Sequence, residues 1–324
     1  MKAFTNINVS SVDEAVSAAA QAHNNGQSVA FSSGGTDLLQ QLKDGTDKSD
    51  VIINLRNVEG AREISSVDGT TRIGGLITLD ELSNSDLNDV LTEAAASVGT
   101  PQIRNVATLS GNVTQRPWCW YYRNSFNCYK AGGNECFSVT GENQQHAIYG
   151  GGPSYIVHPS DVAPALVALD ASFIVAGPDG ERNVSADNFF VMPSQDPATE
   201  NSLRSDELLV GVSLPITSAS SISHYYKIMD REAWTHAEVS VAAVLNMNGD
   251  LVESASIVLG GVATVPWKLT EVENYLVGRQ LNTAVVSMAG QMAVIGARPL
   301  AKNGHKVSMT SAAVERTLLN LVNG

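Results

Sequence analysis

The stretch Ser28-Val29-Ala30-Phe31-Ser32-Ser33-Gly34-Gly35-Thr36-Asp37-Leu38-Leu39-Gln40-Gln41-Leu42 reads as strand, turn and helix in immediate succession. Ser28 to Phe31 is a short buried strand, Ser32 to Thr36 a turn, and Asp37 to Leu42 a short helix. A turn between a strand end and a helix start leaves backbone N–H groups free to hold an anion. Adjacent Gly34 and Gly35 permit positive φ and let a pyrophosphate approach the main chain. Ordinary turn chemistry explains the same residues equally well. Neither G-x-x-x-x-G-K-[ST] nor G-x-G-x-x-G occurs in the chain, so the P-loop and the common dinucleotide fingerprint are both excluded.

Outward from this unit the pattern stays local and alternating. Upstream, Ser11 and Glu14 form an S-x-x-E capping box, Val12, Ala15, Val16 and Ala19 recur at helical spacing, and Gly26 is suited to a helix C-terminus. Downstream, Val51 to Leu55 is a second apolar strand, closing a small α/β layer at about residue 57. From 58 to 217 the pattern is α+β. It has strands over Thr71 to Gly75, Ser172 to Ala176 and Leu208 to Leu214, a helix capped by Thr78 and Glu81, and another from Asp89 to Val98 that stops at Gly99. From 218 to 324, Tyr225 to Ile228, Ala237 to Met247 and Ser254 to Leu259 predict an antiparallel sheet. A final helix follows, with Val314, Leu318, Leu321 and Val322 on its buried face.

Composition narrows the function. The 324 residues carry 33 acidic and 20 basic side chains, a formal charge of −13, with 43% hydrophobic content. The chain is foldable and acidic, without the basic stripe that nucleic-acid binding requires. No apolar run approaches the ~20 residues that span a bilayer, and Met1 to Glu14 shows no export signal. The expectation is therefore a cytoplasmic protein without membrane insertion, or a periplasmic one if a signal-bearing partner carries it across.

Three further stretches could hold chemistry. Arg104-Asn105-Val106-Ala107-Thr108-Leu109-Ser110-Gly111-Asn112 ends in a Gly-Asn pair suited to a left-handed backbone, and reads either as a ligand loop or as a plain bulge. His158-Pro159-Ser160-Asp161 precedes a helix, so Ser160 or Asp161 is first an N-cap and only then a ligand contact. The cysteines of the chain, Cys119, Cys128 and Cys136, fall together among Trp118, Trp120, Tyr121, Tyr122 and Phe126. Their spacing lacks the tight C-x2-4-C knuckles of zinc sites. Iron–sulfur ligation and three silent buried thiols are the two readings that remain.

In this order, Ser33 to Leu38, Arg104 to Asn112, His158 to Asp161 and Ala297-Arg298-Pro299-Leu300 with Asn303 and Lys306 resemble the FAD-binding medium subunit of the xanthine and carbon monoxide dehydrogenases, the molybdenum hydroxylases. The cysteine-rich insertion, about 117–155, makes the chain similar to the flavin subunits of periplasmic aldehyde oxidoreductase and 4-hydroxybenzoyl-CoA reductase, which carry a [4Fe-4S] cluster.

The resemblance implies an α+β fold of the vanillyl-alcohol-oxidase (PCMH) type. Two α/β subdomains, about 1–57 and 58–217, would bind FAD between them, and 218–324 would form a three-stranded antiparallel sheet with a helical bundle. It implies that Ser32, Ser33, Gly34, Gly35, Thr36, Asp37, Leu38, Thr108, Gly111 and Asn112 contact FAD. Asp161, Leu209 and Lys227 would lie toward its flavin end, although a lysine is more commonly a surface residue. A large molybdenum-cofactor subunit and a small [2Fe-2S] subunit are the implied partners, with an external electron acceptor.

The resemblance also implies a fourth cluster cysteine where this chain has Ser154. The expectations are a [4Fe-4S] cluster on Cys119, Cys128, Cys136 and Ser154 or another oxygen or nitrogen ligand such as His146, a three-iron cluster, or none. Two other functions fit the residues less well. A self-contained FAD oxidase or reductase needs its own acid or base beside the flavin, and a binding module would leave the cysteines structural.

Overall fold

Residues 5–54 build a parallel sheet because two short crossovers return each strand in the same direction. The computed structural model describes every residue except Asp68, Glu232 and Gly324, and every side chain of the described residues except those of Val67 and Asn323. β1 (Thr5–Asn8), α1 (Val12–Asn24), β2 (Val29–Ser32), α2 (Leu38–Asp44) and β3 (Val51–Asn54) follow in order, with β3 central in the sheet β1-β3-β2. Ser11 Oγ accepts the Glu14 N–H at 3.1 Å, while the Glu14 carboxylate reaches one residue further back to the Ser10 N–H at 2.7 Å. Gly26, at φ +70°, turns the chain after α1. The small Ala15, Ala19 and Ala22 let α1 settle closely on Val51 and Ile53.

A second layer begins with β4 (Ile64–Val67) and β5 (Thr70–Gly74), then α3 (Leu79–Ser83), α4 (Asp89–Ala96), α5 (Pro101–Arg104), α6 (Leu109–Val113), α7 (Trp120–Arg123) and α8 (Val162–Ala168). β6 (Ser172–Gly177), β7 (Gly180–Ser185), α9 (Ala186–Phe189) and β8 (Leu208–Pro215) complete an antiparallel sheet in the order β4-β5-β8-β6-β7. Thr78 and Glu81 make the full reciprocal capping box at α3. One expectation is corrected here. The 104–112 stretch is a loop only over 105–108: Arg104 ends α5, which Pro101 opens, and Leu109 to Asn112 lie in α6, which Thr108 caps. Gly111 is helical, not left-handed; its missing side chain matters because a Cβ would lie 3.1 Å from Thr108 Oγ1 and 3.2 Å from Ser33 Oγ.

The last layer consists of β9 (Ser221–Ile228), β10 (Val239–Asn248), β11 (Leu251–Gly260) and β12 (Trp267–Lys268), followed by α10 (Thr270–Leu276), α11 (Thr283–Met292) and α12 (His305–Asn323). The expected three strands gain β12, a two-residue edge. Alternation along β10 serves two cores: Ala242 and Val244 face the core shared with α4 and α8, whereas Val241, Ala243 and Leu245 face α10 to α12. Val314 and Leu318 are buried as expected, but Val322 is 46% exposed. Eight residues past Val314 it has rotated to the margin of the stripe. Among the described residues no helix is long and apolar enough to cross a membrane.

Candidate functional site

The turn after β2 and the segment before α6 meet face to face. A Cβ on Gly34 would lie 1.9 Å from the Val106 carbonyl oxygen, so glycine is required there by close approach of two backbones. Gly35 supplies the positive φ, +71°. Ser33 Oγ and Thr108 Oγ1 stitch the two segments at 2.7 Å. The amides of Gly34, Gly35, Thr36 and Asp37 donate to no backbone acceptor among the described residues, and they border a cavity of about 630 Å3. Unpaired amides beside glycines suit a pyrophosphate, and the volume lies within the roughly 300–1,000 Å3 of small-molecule sites.

This cavity runs from the turn to a far end walled by Pro159, Asp161, Trp234 and His236. Ser32 to Leu38, Thr108, Gly111, Asn112 and Asp161 all line it, so the structure brings these expected residues together. Two others stand back. Leu209 is buried in the core, where its carbonyl accepts from Ser110 Oγ at 2.7 Å. Lys227 is not the surface residue that its type suggests. Its side chain is 3% exposed, and Nζ donates to Asp161 Oδ2 at 2.8 Å and to the Ser97 carbonyl at 3.1 Å.

Asp161 also accepts from the Tyr225 hydroxyl at 3.0 Å, so its carboxylate is fixed at the cavity's far end. It makes no cap; the cap of α8 is Ser160, whose Oγ accepts the Ala163 N–H at 2.9 Å. The same hydroxyl donates to Asn112 Oδ1 at 2.6 Å, which orients the Asn112 side chain beside the cavity.

The cysteine-rich insertion forms another wall. Asp37 is held by Arg123 Nη2 at 2.7 Å, the Arg116 N–H at 3.1 Å and Gln41 Nε2 at 2.9 Å. Its carboxylate therefore latches the insertion onto the turn. Arg123 stacks over Trp118 at 4.2 Å. Glu200 pairs with Arg116 at 3.0 Å and with Lys130 at 2.8 Å, and burial lowers the Lys130 pKa against the pull of Glu200. Asn303 and Lys306 pin the frame: Asn303 Nδ2 donates to the His146 carbonyl at 2.9 Å, and Lys306 Nζ to those of Glu238 and Gly261, both at 2.8 Å.

The three cysteines are free thiols. Burial pushes the Cys119 thiol up to about 11, and nearby Cys128 and Cys136 add to the rise. His146 Nε2 lies 3.3 Å from Cys119 Sγ, and Ser138 Oγ lies 3.1 Å from Cys136 Sγ. Among the described residues no three His, Cys, Asp or Glu side chains converge as they would on a single metal ion. Ser154, expected as the fourth ligand, is buried, and its carbonyl accepts the Gly152 N–H at 3.0 Å. The groups placed against cysteines are His146, at Cys119, and Ser138, at Cys136.

Trp234 and His236 belong to the site and were not singled out in the sequence. They sit in the β9–β10 connection, where no periodicity or motif marks them. Burial holds His236 neutral, lowering it to about 4, and its Nε2 has no partner among the described residues.

Comparison with known proteins agrees with this architecture. The FAD binding domain in molybdopterin dehydrogenase matches residues 2–217, and the CO dehydrogenase flavoprotein C-terminal domain matches residues 224–320. The aldehyde oxidoreductase FAD-binding subunit PaoB of Escherichia coli K12 is 33% identical over 83% of this chain and 84% of its own length. The carbon monoxide dehydrogenase medium chain of Hydrogenophaga pseudoflava is 24% identical over 95% and 93%. In fold, quinoline 2-oxidoreductase of Pseudomonas putida 86 superposes with a TM-score of 0.76 at 23% identity, covering 100% of this chain and 99% of that one. These relatives are oxidoreductases or subunits of them, and the chain belongs to the family of FAD-binding medium subunits of the xanthine and carbon monoxide dehydrogenases.

Proposed function

We propose that this chain is the flavin subunit of a multi-subunit molybdenum hydroxylase. It binds one FAD non-covalently and relays electrons from iron–sulfur clusters of its partners to an external acceptor. The observation that carries the reading is the continuous cradle, from the unpaired amides at Gly34 and Gly35 to the fixed carboxylate of Asp161. FAD, when bound, supplies the redox chemistry, while the chain binds, orients and shields it. Gly34 and Gly35 would admit the pyrophosphate, Thr108 and Asn112 would flank it, and Asp161 with Lys227 would present a paired charge toward the ring.

The partners in this proposal are a large molybdenum-cofactor subunit and a small [2Fe-2S] subunit. Residues 1–217 would form the FAD-binding domain and 218–324 the C-terminal domain, a division supported by separate sheets on either side of Pro215. Co-purification from the native host with cofactor analysis tests the assignment: two further chains, molybdenum and stoichiometric FAD are expected. Substrate oxidation by the isolated chain would instead establish a self-contained flavoenzyme.

We propose also that Cys119, Cys128 and Cys136 carry an iron–sulfur cluster, the [4Fe-4S] form with an oxygen or nitrogen fourth ligand. What supports it is the grouping of three buried or half-buried thiols in one insertion, with His146 Nε2 against Cys119. Iron and acid-labile sulfide on anaerobically purified protein, beside Ser154→Cys and His146→Ala, decide it. Near-zero iron in all three would leave the thiols structural.

A further inference from the structure

β9 reaches from the last layer to the far end of the cradle. Alternate residues of a strand share a face, and Tyr225 and Lys227 lie on the face of β9 turned toward α4 and α8, whereas Tyr226 packs toward α12. Both residues of the first face end on one carboxylate. The Tyr225 hydroxyl donates to Asp161 Oδ1 at 3.0 Å, and Lys227 Nζ donates to Asp161 Oδ2 at 2.8 Å. Each oxygen of Asp161 therefore has its own donor, and two points of attachment fix the plane of the group.

The donors are held in their turn. Glu93 Oε2, on α4, accepts the Tyr225 N–H at 2.6 Å and lies 2.9 Å from His224 Nδ1, so the strand is anchored where Tyr225 leaves it. Lys227 Nζ also donates to the Ser97 carbonyl at the C-terminal end of α4, at 3.1 Å. Tyr225 is 5% exposed. Burial, with the Asp161 charge beside it, raises its hydroxyl well above the ordinary 10, so the proton stays in place and the group faces Asp161 as a donor. The two donors divide the work. Lys227 supplies the counter-charge, while Tyr225 adds no charge and supplies direction and a charge-assisted hydrogen bond.

We propose that Tyr225 is a positioning residue for the flavin: by fixing Asp161 Oδ1 at the end of the cradle, its hydroxyl sets the reduction potential of the bound FAD. The proposal rests on the FAD reading above. Reduction of FAD takes up two electrons and two protons, and a carboxylate near the ring opposes the added electrons. The Tyr225 hydrogen bond draws charge from Oδ1 and keeps the group from turning, which offsets part of that opposition. Loss of the hydroxyl should therefore favour the oxidised flavin.

The test measures the midpoint potential of the full chain loaded with FAD, by stepwise anaerobic reduction with dithionite against a dye of known potential. Tyr225→Phe should keep its FAD and shift the equilibrium about tenfold toward oxidised flavin, close to the worth of one hydrogen bond to a charged group and equal to about 30 mV for a two-electron couple. Tyr226→Phe removes a hydroxyl from the opposite face of the same strand, where it accepts from Arg316 Nη1 at 3.0 Å, and should leave the potential unchanged. In an Asp161→Asn background Tyr225→Phe should add no further shift, because the charge on which the hydroxyl acts is gone. An unchanged potential in Tyr225→Phe, an equal shift in Tyr226→Phe, or the full shift persisting beside Asp161→Asn would overturn the proposal. If Tyr225→Phe sheds its flavin, 3-fluorotyrosine in place of Tyr225 decides instead: this stronger donor of nearly the same size should raise the potential, and no change ends the proposal. If the wild-type chain itself retains no FAD, the FAD reading fails and this proposal with it, whereas every other negative result leaves that reading standing.

Discussion

Replacing Gly34 with alanine adds one methyl group at the place where the two backbone segments of the cradle meet. The new Cβ would lie 1.9 Å from the Val106 carbonyl oxygen, 2.6 Å from its carbon and 3.1 Å from the Ala107 Cα. All three are backbone atoms, so no side-chain rotation relieves the contact. Restoring even a 3 Å separation moves one segment by about 1 Å, which carries the Ser33–Thr108 bond from 2.7 Å beyond hydrogen-bonding range. Overpacking of this kind costs about 1–3 kcal/mol and the lost bond about 1 kcal/mol. If most of that falls on the flavin-competent form, FAD affinity drops by about 30- to 1,000-fold. Gly35→Ala is the internal control. Its φ of +71° costs about 1–2 kcal/mol, but its Cβ meets only side chains, Leu39 at 3.2 Å and Ser32 Oγ at 3.7 Å. Flavin-to-protein absorbance ratios after desalting, with calorimetric titration of the apo chains, should rank wild type above Gly35→Ala above Gly34→Ala. Full FAD occupancy and an unchanged melting temperature in Gly34→Ala would refute the reasoning.

Lys227→Met leaves Asp161 buried without its ion pair, and a loss of about 3–5 kcal/mol in stability is expected by denaturant titration; a loss under 1 kcal/mol would mean that Asp161 finds another partner. Thr78→Ala removes the α3 capping box and should cost about 1 kcal/mol with FAD content intact. The third expectation concerns acid. His158 and His236 have folded pKa values lowered to about 3 and about 4 from the ordinary 6.5. The unfolded chain then binds more protons between those values, so stability is present above pH 6.5 and falls as pH drops toward 4. Each ring contributes on the order of 3 kcal/mol of that loss, and melting temperature against pH should show a shallower slope in His236→Phe. An identical slope in that variant would place the acid sensitivity elsewhere.

What could be read in the sequence was what neighbours decide. The caps at Ser11 and Thr78, the stops at Gly26 and Gly99 and the long strands of the last sheet depend on residues a few positions apart. α5 and α6 escaped because helices of four and five residues are too short to show a period. Gly34 was marked for the right position and an incomplete reason. Its partner Val106 lies on another segment, and only the fold reveals a backbone contact there. Lys227 could not be separated from a surface lysine until β9 placed it against Asp161. The β9–β10 connection was invisible as site material, since His236 acquires its role only by lying against Trp118, and Trp234 by lying against His236.

Asp37 ties these levels together. In the sequence it belongs to the glycine turn, yet in the fold its carboxylate is spent on Arg123, Arg116 and Gln41. Tyr122 adds a bond to Gln41 at 3.2 Å, so α7 and α2 are tied through one polar cluster. The insertion that carries the cysteines is therefore a structural wall of the cradle. Trp118 sits next to Cys119, stacks under Arg123 and borders the cradle. Any change at the thiols that moves Trp118 acts on the cradle through the same short path of side chains, and no long-range relay is needed. Coupling along such a path is reciprocal: a chain loaded with FAD is expected to hold its insertion more firmly than the apo chain, read as slower hydrogen exchange over 117–155.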